Sequence, residues 1–366
     1  MKVAIVRGKF LNKYEMQFFE PLVKRFDMTA FGSLTPYHDR FAFPVVKLPS
    51  PMDLPDFPYK MPILNRLFVD AHYLAGLEER LRGFDLIHTA ETYFHYTQQC
   101  LNAKKKGYVK KVIATVLENI PFNNEGIRGR RAFKARSRAE LDHIIALTHK
   151  TKDALILEGT DPKKITVISH FIDTKRFFPA KRHADKKITI LFTGRFEREK
   201  GVLDFIEAAD HLRHDPGLLG YTLTFRMVGD GSLRSSIPQW IETLHVSYDD
   251  MPCVYRDADI FVAPSKSTPT FEEQYCTALL EAQASGLPIV TTRTGGIPEN
   301  IGNAGVLVEP GNVTAFAGAL AGFIRSPKKR AQYGTRARKR ALRVHDIKIG
   351  AKKLSDLYIS LLPASI

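Results

Sequence analysis

Glu273 and Glu281 stand with seven residues between them, the first in a polar loop and the second two turns into a helical pattern. Carboxylates so placed can both face a polyhydroxylated ligand, and sugar hydroxyls are what they bind well. Upstream, a β-branched run at residues 188–193 ends in Gly194 and Arg195, and Lys200 follows five positions after the arginine, just before another helical pattern. A guanidinium fork, an ammonium point charge and the open N–H groups of a helix start together suit a diphosphate. The alternative makes Arg195 and Lys200 surface charges among Glu197, Arg198 and Glu199. Their place at the carboxyl edge of a strand favours phosphate binding.

These residues need elements that bring them to one edge. Runs at 259–264 and 288–292 flank a single helix, which is a crossover unit of a parallel sheet whose ligands lie beyond the carboxyl ends of its strands. The same rhythm fills the chain. Short apolar runs at 3–6, 86–89, 112–116, 144–147 and 166–169, then at 188–193, 223–228, 260–263, 289–292 and 306–308, read as buried parallel strands. Helical patterns at 202–213, 275–285 and 314–325 separate the later ones. The expected fold is therefore α/β, with two Rossmann-like doubly wound domains facing across a cleft. Residues 1–180 form the first, residues 187–345 the second, and a helix at 346–366 packs back toward the first. The unpatterned, charged stretch 173–186 is the expected linker. A proline-rich stretch at 43–62 reads as a surface excursion, neither helix nor central strand.

In order, Gly194-Arg195…Lys200-Gly201, Val228-Gly229-Asp230-Gly231, Ala258-Asp259 through Pro264-Ser265, Glu273…Glu281-Ala282…Ser285-Gly286-Leu287-Pro288, and Gly295-Gly296-Ile297-Pro298-Glu299 resemble the retaining glycosyltransferases of family four, of GT-B fold. The resemblance spans nearly all of the second half. It implies that Arg195 and Lys200 hold the donor diphosphate, that Glu281 binds ribose hydroxyls and that Glu273 touches the donor sugar. Gly194 and Gly229 join the nucleotide site, as do Tyr275, Cys276 and Thr277, whose N–H groups would help neutralise charge on the leaving phosphate without a metal. Where the family pattern reads Glu-Gly-Phe-Gly, this chain has Glu273-Gln274-Tyr275-Cys276, so the loop must keep its backbone approach with side chains present.

In the first half, Glu118 follows the run 112–116, where many relatives carry a histidine facing the reacting sugar. A carboxylate there suits a hydroxyl or a cationic anomeric centre; the alternative is a strand-end cap. Arg7 and Gly8, after the first run, resemble the phosphate-side loop. Asp257-Ala258-Asp259 imitates a metal motif, but Asp259 opens a buried strand and reads as structural. His88, His95, His143, His149 and His170 have no ligand spacing. Tyr93, Phe94 and Tyr96 read as packing residues.

The 366 residues suit two domains. Three scattered cysteines argue against a disulfide framework or zinc site, and no apolar run is long enough for a membrane span, so a cytoplasmic protein is expected, held peripherally at the inner membrane face if at all. The formal net charge of +15 calls for an anionic partner. The basic stretch from Arg128 to Arg138 is the candidate contact with an anionic membrane or a phosphorylated lipid acceptor. The expected activity is that of a retaining hexosyltransferase: a nucleotide-diphosphate sugar as donor substrate, no cofactor, no metal, and a glycan or lipid-linked acceptor. A nucleotide-sugar epimerase of the same architecture is the alternative. Charge alone suggests a nucleic-acid binder, but no groove-reading helix or stacking sheet accompanies it.

Overall fold

The computed structural model describes residues 1–180 and 186–362. The expected linker at 173–186 therefore falls partly outside the described residues. Two compact units emerge, Met1–His170 with Lys348–Ile366, and Phe171–Ile347. The boundary lies before Phe171, ten residues earlier than the sequence pattern places it, because Ile172 bridges Asp346 and is tied into the second unit.

In the first unit, β1 (Lys2–Gly8), β2 (Asp27–Gly32), β3 (Val45–Lys47), β4 (Leu86–Ala90), β5 (Lys111–Val116), β6 (His143–Ala146) and β7 (Ile165–Val167) form a parallel sheet in the order β3-β2-β1-β4-β5-β6-β7. Val6, Ile87, Val112, Ala114 and Ile144 carry its core, with Leu77, Tyr96, Cys100 and Leu101 from covering helices. This burial is what fixes near-continuous apolar runs as central strands. The proline-rich stretch yields β3 between Pro44 and Pro49, at the sheet edge, where a missing N–H costs nothing. It then gives the helix Lys60–Phe68, which starts just before Pro62. The last helix, Ile347–Leu361, belongs almost wholly to this unit: Tyr358 Oη lies 2.6 Å from His88 Nδ1 on β4.

In the second unit, β8 (Lys187–Thr193), β9 (Thr222–Val228), β10 (Glu242–Leu244), β11 (Ile260–Ala263), β12 (Ile289–Thr292) and β13 (Val306–Val308) are parallel in the order β10-β9-β8-β11-β12-β13. The order reverses between β8 and β11. That is the switch point of a doubly wound sheet, where ligands find a crevice beyond the strand ends.

Candidate functional site

The loop after β8 and the loop after β11 meet at this switch point. Lys200 Nζ lies 2.6 Å from Glu273 Oε2, and Ser265 Oγ donates to the same oxygen at 2.8 Å. Glu273 is buried. Burial alone would raise its pKa; Lys200, Ser265 and the more distant Arg195 outweigh that, so the carboxyl is held below its ordinary range. The arginine itself points outward to Glu199, 3.2 Å away, with its side chain 62% exposed. Lys200 is thus a half-buried point charge already anchored, whereas Arg195 is a largely exposed fork at the rim, paired with Glu199.

Glu281 is buried on the helix Thr277–Ala284 and accepts from Tyr255 Oη at 2.7 Å, which in turn lies 2.8 Å from Thr193 Oγ1 at the end of β8. Burial pushes Glu281 up to about 7. Between the two glutamates, Cys276 starts the helix with φ +53°, a left-handed conformation that a side chain adopts only at a cost. Its thiol is pushed up to about 12 by burial and by Glu273. No side chain caps this helix, so the N–H groups around Thr277 stay open for an anion. Tyr275 is buried with its ring against His345, and so contributes backbone here.

The loop keeps its path through contacts from behind. Gly295, at φ +51°, lies so close to Glu273 that an added Cβ would be 1.9 Å from the Glu273 carbonyl oxygen, and Gly296 N–H donates to that oxygen at 2.8 Å. Asn300 donates to the carbonyls of Tyr275 and Cys276 and accepts from Gln283. Gly194 and Gly229, at the ends of β8 and β9, touch directly: a Cβ on Gly229 would be 2.0 Å from the Gly194 carbonyl oxygen. Sequence reasoning assigned no role to Ser265, Tyr255 or Asn300. Asn300 stands one residue beyond the matched Gly295–Glu299 motif, the one signal that could have drawn attention to it. Asp259 accepts from Thr189 N–H at 2.9 Å, which joins β11 to β8.

At the carboxyl edge of the other sheet the structure adds a residue that sequence reasoning missed. Glu91 follows β4 with φ +57°, and its Oε1 accepts from Leu117 N–H at 2.8 Å. Burial, and then the neighbouring Glu118, push it up to about 8. Glu118 itself accepts from Ile120 N–H at 2.9 Å and from Asn123 Nδ2 at 2.8 Å, the bonds of a strand-end cap. Arg7 is buried and turned inward, donating to the carbonyls of Val6 and His88. Gly8 keeps the edge position, against the ring of buried Tyr96; Phe94 is buried as well.

Glu91 gives a stability test. A carboxyl whose folded pKa lies above its unfolded value keeps its proton longer in the folded state, so it lowers stability as pH rises from its ordinary value of 4.5 to about 8. Glu91→Gln keeps the acceptor for Leu117 and removes the titration. The variant should match the parent at about pH 5 and exceed it by on the order of a few kcal/mol at about pH 8 in urea unfolding, at about 1.4 kcal/mol per pH unit. A parent and variant that run parallel across that range would refute the assignment.

The basic stretch from Arg128 to Arg138 is largely occupied by the protein's own carboxylates. Arg130 pairs with Asp70 at 2.9 Å, Lys134 with Glu158 at 2.6 Å, Arg138 with Glu158 at 2.9 Å, Arg131 with Glu125 and Arg136 with Glu140. As a band of free cations for a membrane it is not what the sequence suggests. Among the described residues, no helix is long and apolar enough to cross a membrane.

Known proteins place this architecture. The family model for glycosyl transferases group 1 matches residues 173–340, and that for glycosyltransferase family 4 matches residues 26–176. The chain is 28% identical over 235 residues to glycogen synthase of Mycobacterium tuberculosis, covering 60% of this chain and 55% of that one. It is 29% identical over 240 residues to the UDP-Gal:alpha-D-GlcNAc-diphosphoundecaprenol alpha-1,3-galactosyltransferase of Escherichia coli, covering 60% of each. The chain thus spans little more than half the length of these relatives. Anabaena Alr3699/HepE, solved in complex with UDP and glucose, superposes with a TM-score of 0.77 at 16% identity over 98% of this chain and 100% of that one, a likeness of fold. With two doubly wound sheets and two adjoining models that together run from residue 26 to residue 340, this chain belongs to the family-four type of glycosyltransferases, of GT-B fold.

Proposed function

We propose that the protein transfers a hexosyl group from a nucleoside-diphosphate donor to a glycan or lipid-linked acceptor, with retention at the anomeric carbon and without a metal ion. The observation that carries this reading is the Lys200–Glu273 pair beside the uncapped helix start at Thr277. Departure of a nucleoside diphosphate builds negative charge on a phosphate oxygen. A fixed ammonium and open N–H groups stabilise that charge at no reorganisation cost, and Arg195 can swing in from the rim. Glu281, neutral or charged near neutrality, accepts from ribose hydroxyls, and Glu273, held ionised, accepts from sugar hydroxyls. Glu118 on the first unit is proposed to meet the donor sugar or the acceptor. The Escherichia coli relative is named for a diphosphoundecaprenol acceptor, which supports the lipid-linked alternative; a peripheral place at an anionic membrane belongs to the same proposal.

A thermal-shift panel of uridine, guanosine and adenosine diphosphates tests the donor half. One nucleotide should raise the midpoint by several degrees at about 100 times its dissociation constant, near 2.7 kcal/mol of linkage. No shift with any of the three sinks the reading. Incubation of the donor alone, with product analysis, separates transfer from epimerisation.

A further inference from the structure

The helix Lys60–Phe68 wears its apolar stripe on the outside. Tyr59, Pro62, Ile63, Arg66 and Leu67 recur at helical spacing and all are exposed, with Tyr59 at 77%, Ile63 at 47% and Leu67 at 70%, while Leu64 on the opposite side is 4% exposed. Leu54 and Phe57, just upstream, are also exposed. Ordinary surface helices show the reverse pattern, and a contiguous apolar face marks a surface that something covers. Both ends of the helix carry non-glycine residues with positive φ, Tyr59 at +61° and Val69 at +65°. For a β-branched valine this is a true outlier.

The charges around the stripe say what covers it. From Phe57 to Val69 the chain has no acidic residue. Lys60 is tied to Asp56 and to backbone carbonyls. Arg66 on the stripe has no ion pair among the described residues, nor has Arg128, the one cation of the basic stretch 128–138 left without a carboxylate. Arg128 adjoins the helix: the next residue, Gly129, packs so closely that an added Cβ would be 2.8 Å from Val69 Cγ2. A tyrosine, a proline and two aliphatic side chains rimmed by two free guanidiniums match the boundary layer of an anionic bilayer, apolar below and phosphate above. A protein groove would be met equally well by a stripe bearing acids, and it gives no reason for the whole chain's excess of +15. We propose that this face is a docking surface for the anionic surface of a lipid membrane, with the contact at Tyr59–Leu67 and its two arginines.

The test is co-sedimentation of the full chain with vesicles of phosphatidylcholine alone and of phosphatidylcholine mixed with phosphatidylglycerol. The parent should sediment with mixed vesicles and far less with phosphatidylcholine. Ile63→Ser with Leu67→Ser should weaken that binding at least about tenfold. Arg66→Ala with Arg128→Ala should weaken it by on the order of tenfold on mixed vesicles and leave the weak phosphatidylcholine background unchanged. All four side chains are exposed, and circular dichroism confirms that the variants fold. Failure of the parent to sediment, equal binding to both vesicles, or variants that bind like the parent would overturn the proposal. So would a concentration-dependent dimer that Ile63→Ser with Leu67→Ser abolishes, which assigns the face to a second copy. The nucleotide shift does not depend on this surface, so the donor reading stands or falls separately.

Discussion

Lys200→Ala lowers kcat/KM by about 10²–10³-fold, the loss that follows removal of one preorganised charge facing a developing oxyanion. Two effects add. The phosphate loses a fixed ammonium, and Glu273, buried at 5% exposure, loses the partner 2.6 Å away that keeps it ionised. An unpaired buried charge costs about 3–5 kcal/mol, so Glu273 takes up a proton and no longer accepts strongly from a sugar hydroxyl. The nucleotide-induced thermal shift should vanish, and the unliganded midpoint should drop by several degrees. Lys200→Arg does not restore activity, because a planar fork does not reproduce an ammonium point charge held 2.6 Å from Glu273 and 5.1 Å from the Phe271 ring centroid. A Lys200→Ala enzyme within about threefold of the parent in kcat/KM removes the diphosphate site from this loop.

Glu281→Gln weakens nucleotide binding by about ten- to a hundredfold above neutrality and flattens its pH dependence, since a hydrogen bond to a charged group contributes roughly 1.5–3 kcal/mol. The sign follows from burial. Raised to about 7, the carboxyl is neutral below that pH and ionised above it. Ribose hydroxyls donate more strongly to the ionised form, so the parent's affinity rises through pH 7, with proton release on binding. The glutamine keeps the bond from Tyr255 and cannot ionise. Calorimetric titration at about pH 6 and about pH 8 decides it, and a parent whose affinity is the same at both values rejects the ribose role.

Central strands were legible because burial on both faces demands largely apolar runs with only threonine between, as in residues 188–193 and 112–116. β2 alternates Asp27 and Thr29 with Met28 and Ala30, and β10 has Leu244 alone among polar residues, so neither carries that signature, and β3 is an edge strand among prolines. At the site, Lys200 and Glu273 could each be read as charged groups at strand ends. That they form a pair depends on β8 and β11 being neighbours across 73 residues of chain, a fact of topology that local pattern does not carry. Arg7 misled for the converse reason: its type fits a phosphate, but the ring of Phe19 and the carbonyl of His88 take it inward. Glu91 was invisible because a glutamate between a strand and a helix usually lies on the surface, and only β5 beside β4 turns it under Leu117.

The helix that carries Glu281 ends at Ala284, and there Arg338 gathers three carbonyl oxygens, of Ala284, Phe177 and Thr174, onto one guanidinium. A planar fork reaches three acceptors at once where an ammonium on a flexible stem does not. If Glu281 holds the donor as proposed, its recognition at one end of this short rod is aimed from the other end, and a change at position 338 would detune sugar-nucleotide affinity without touching any atom that the ligand meets.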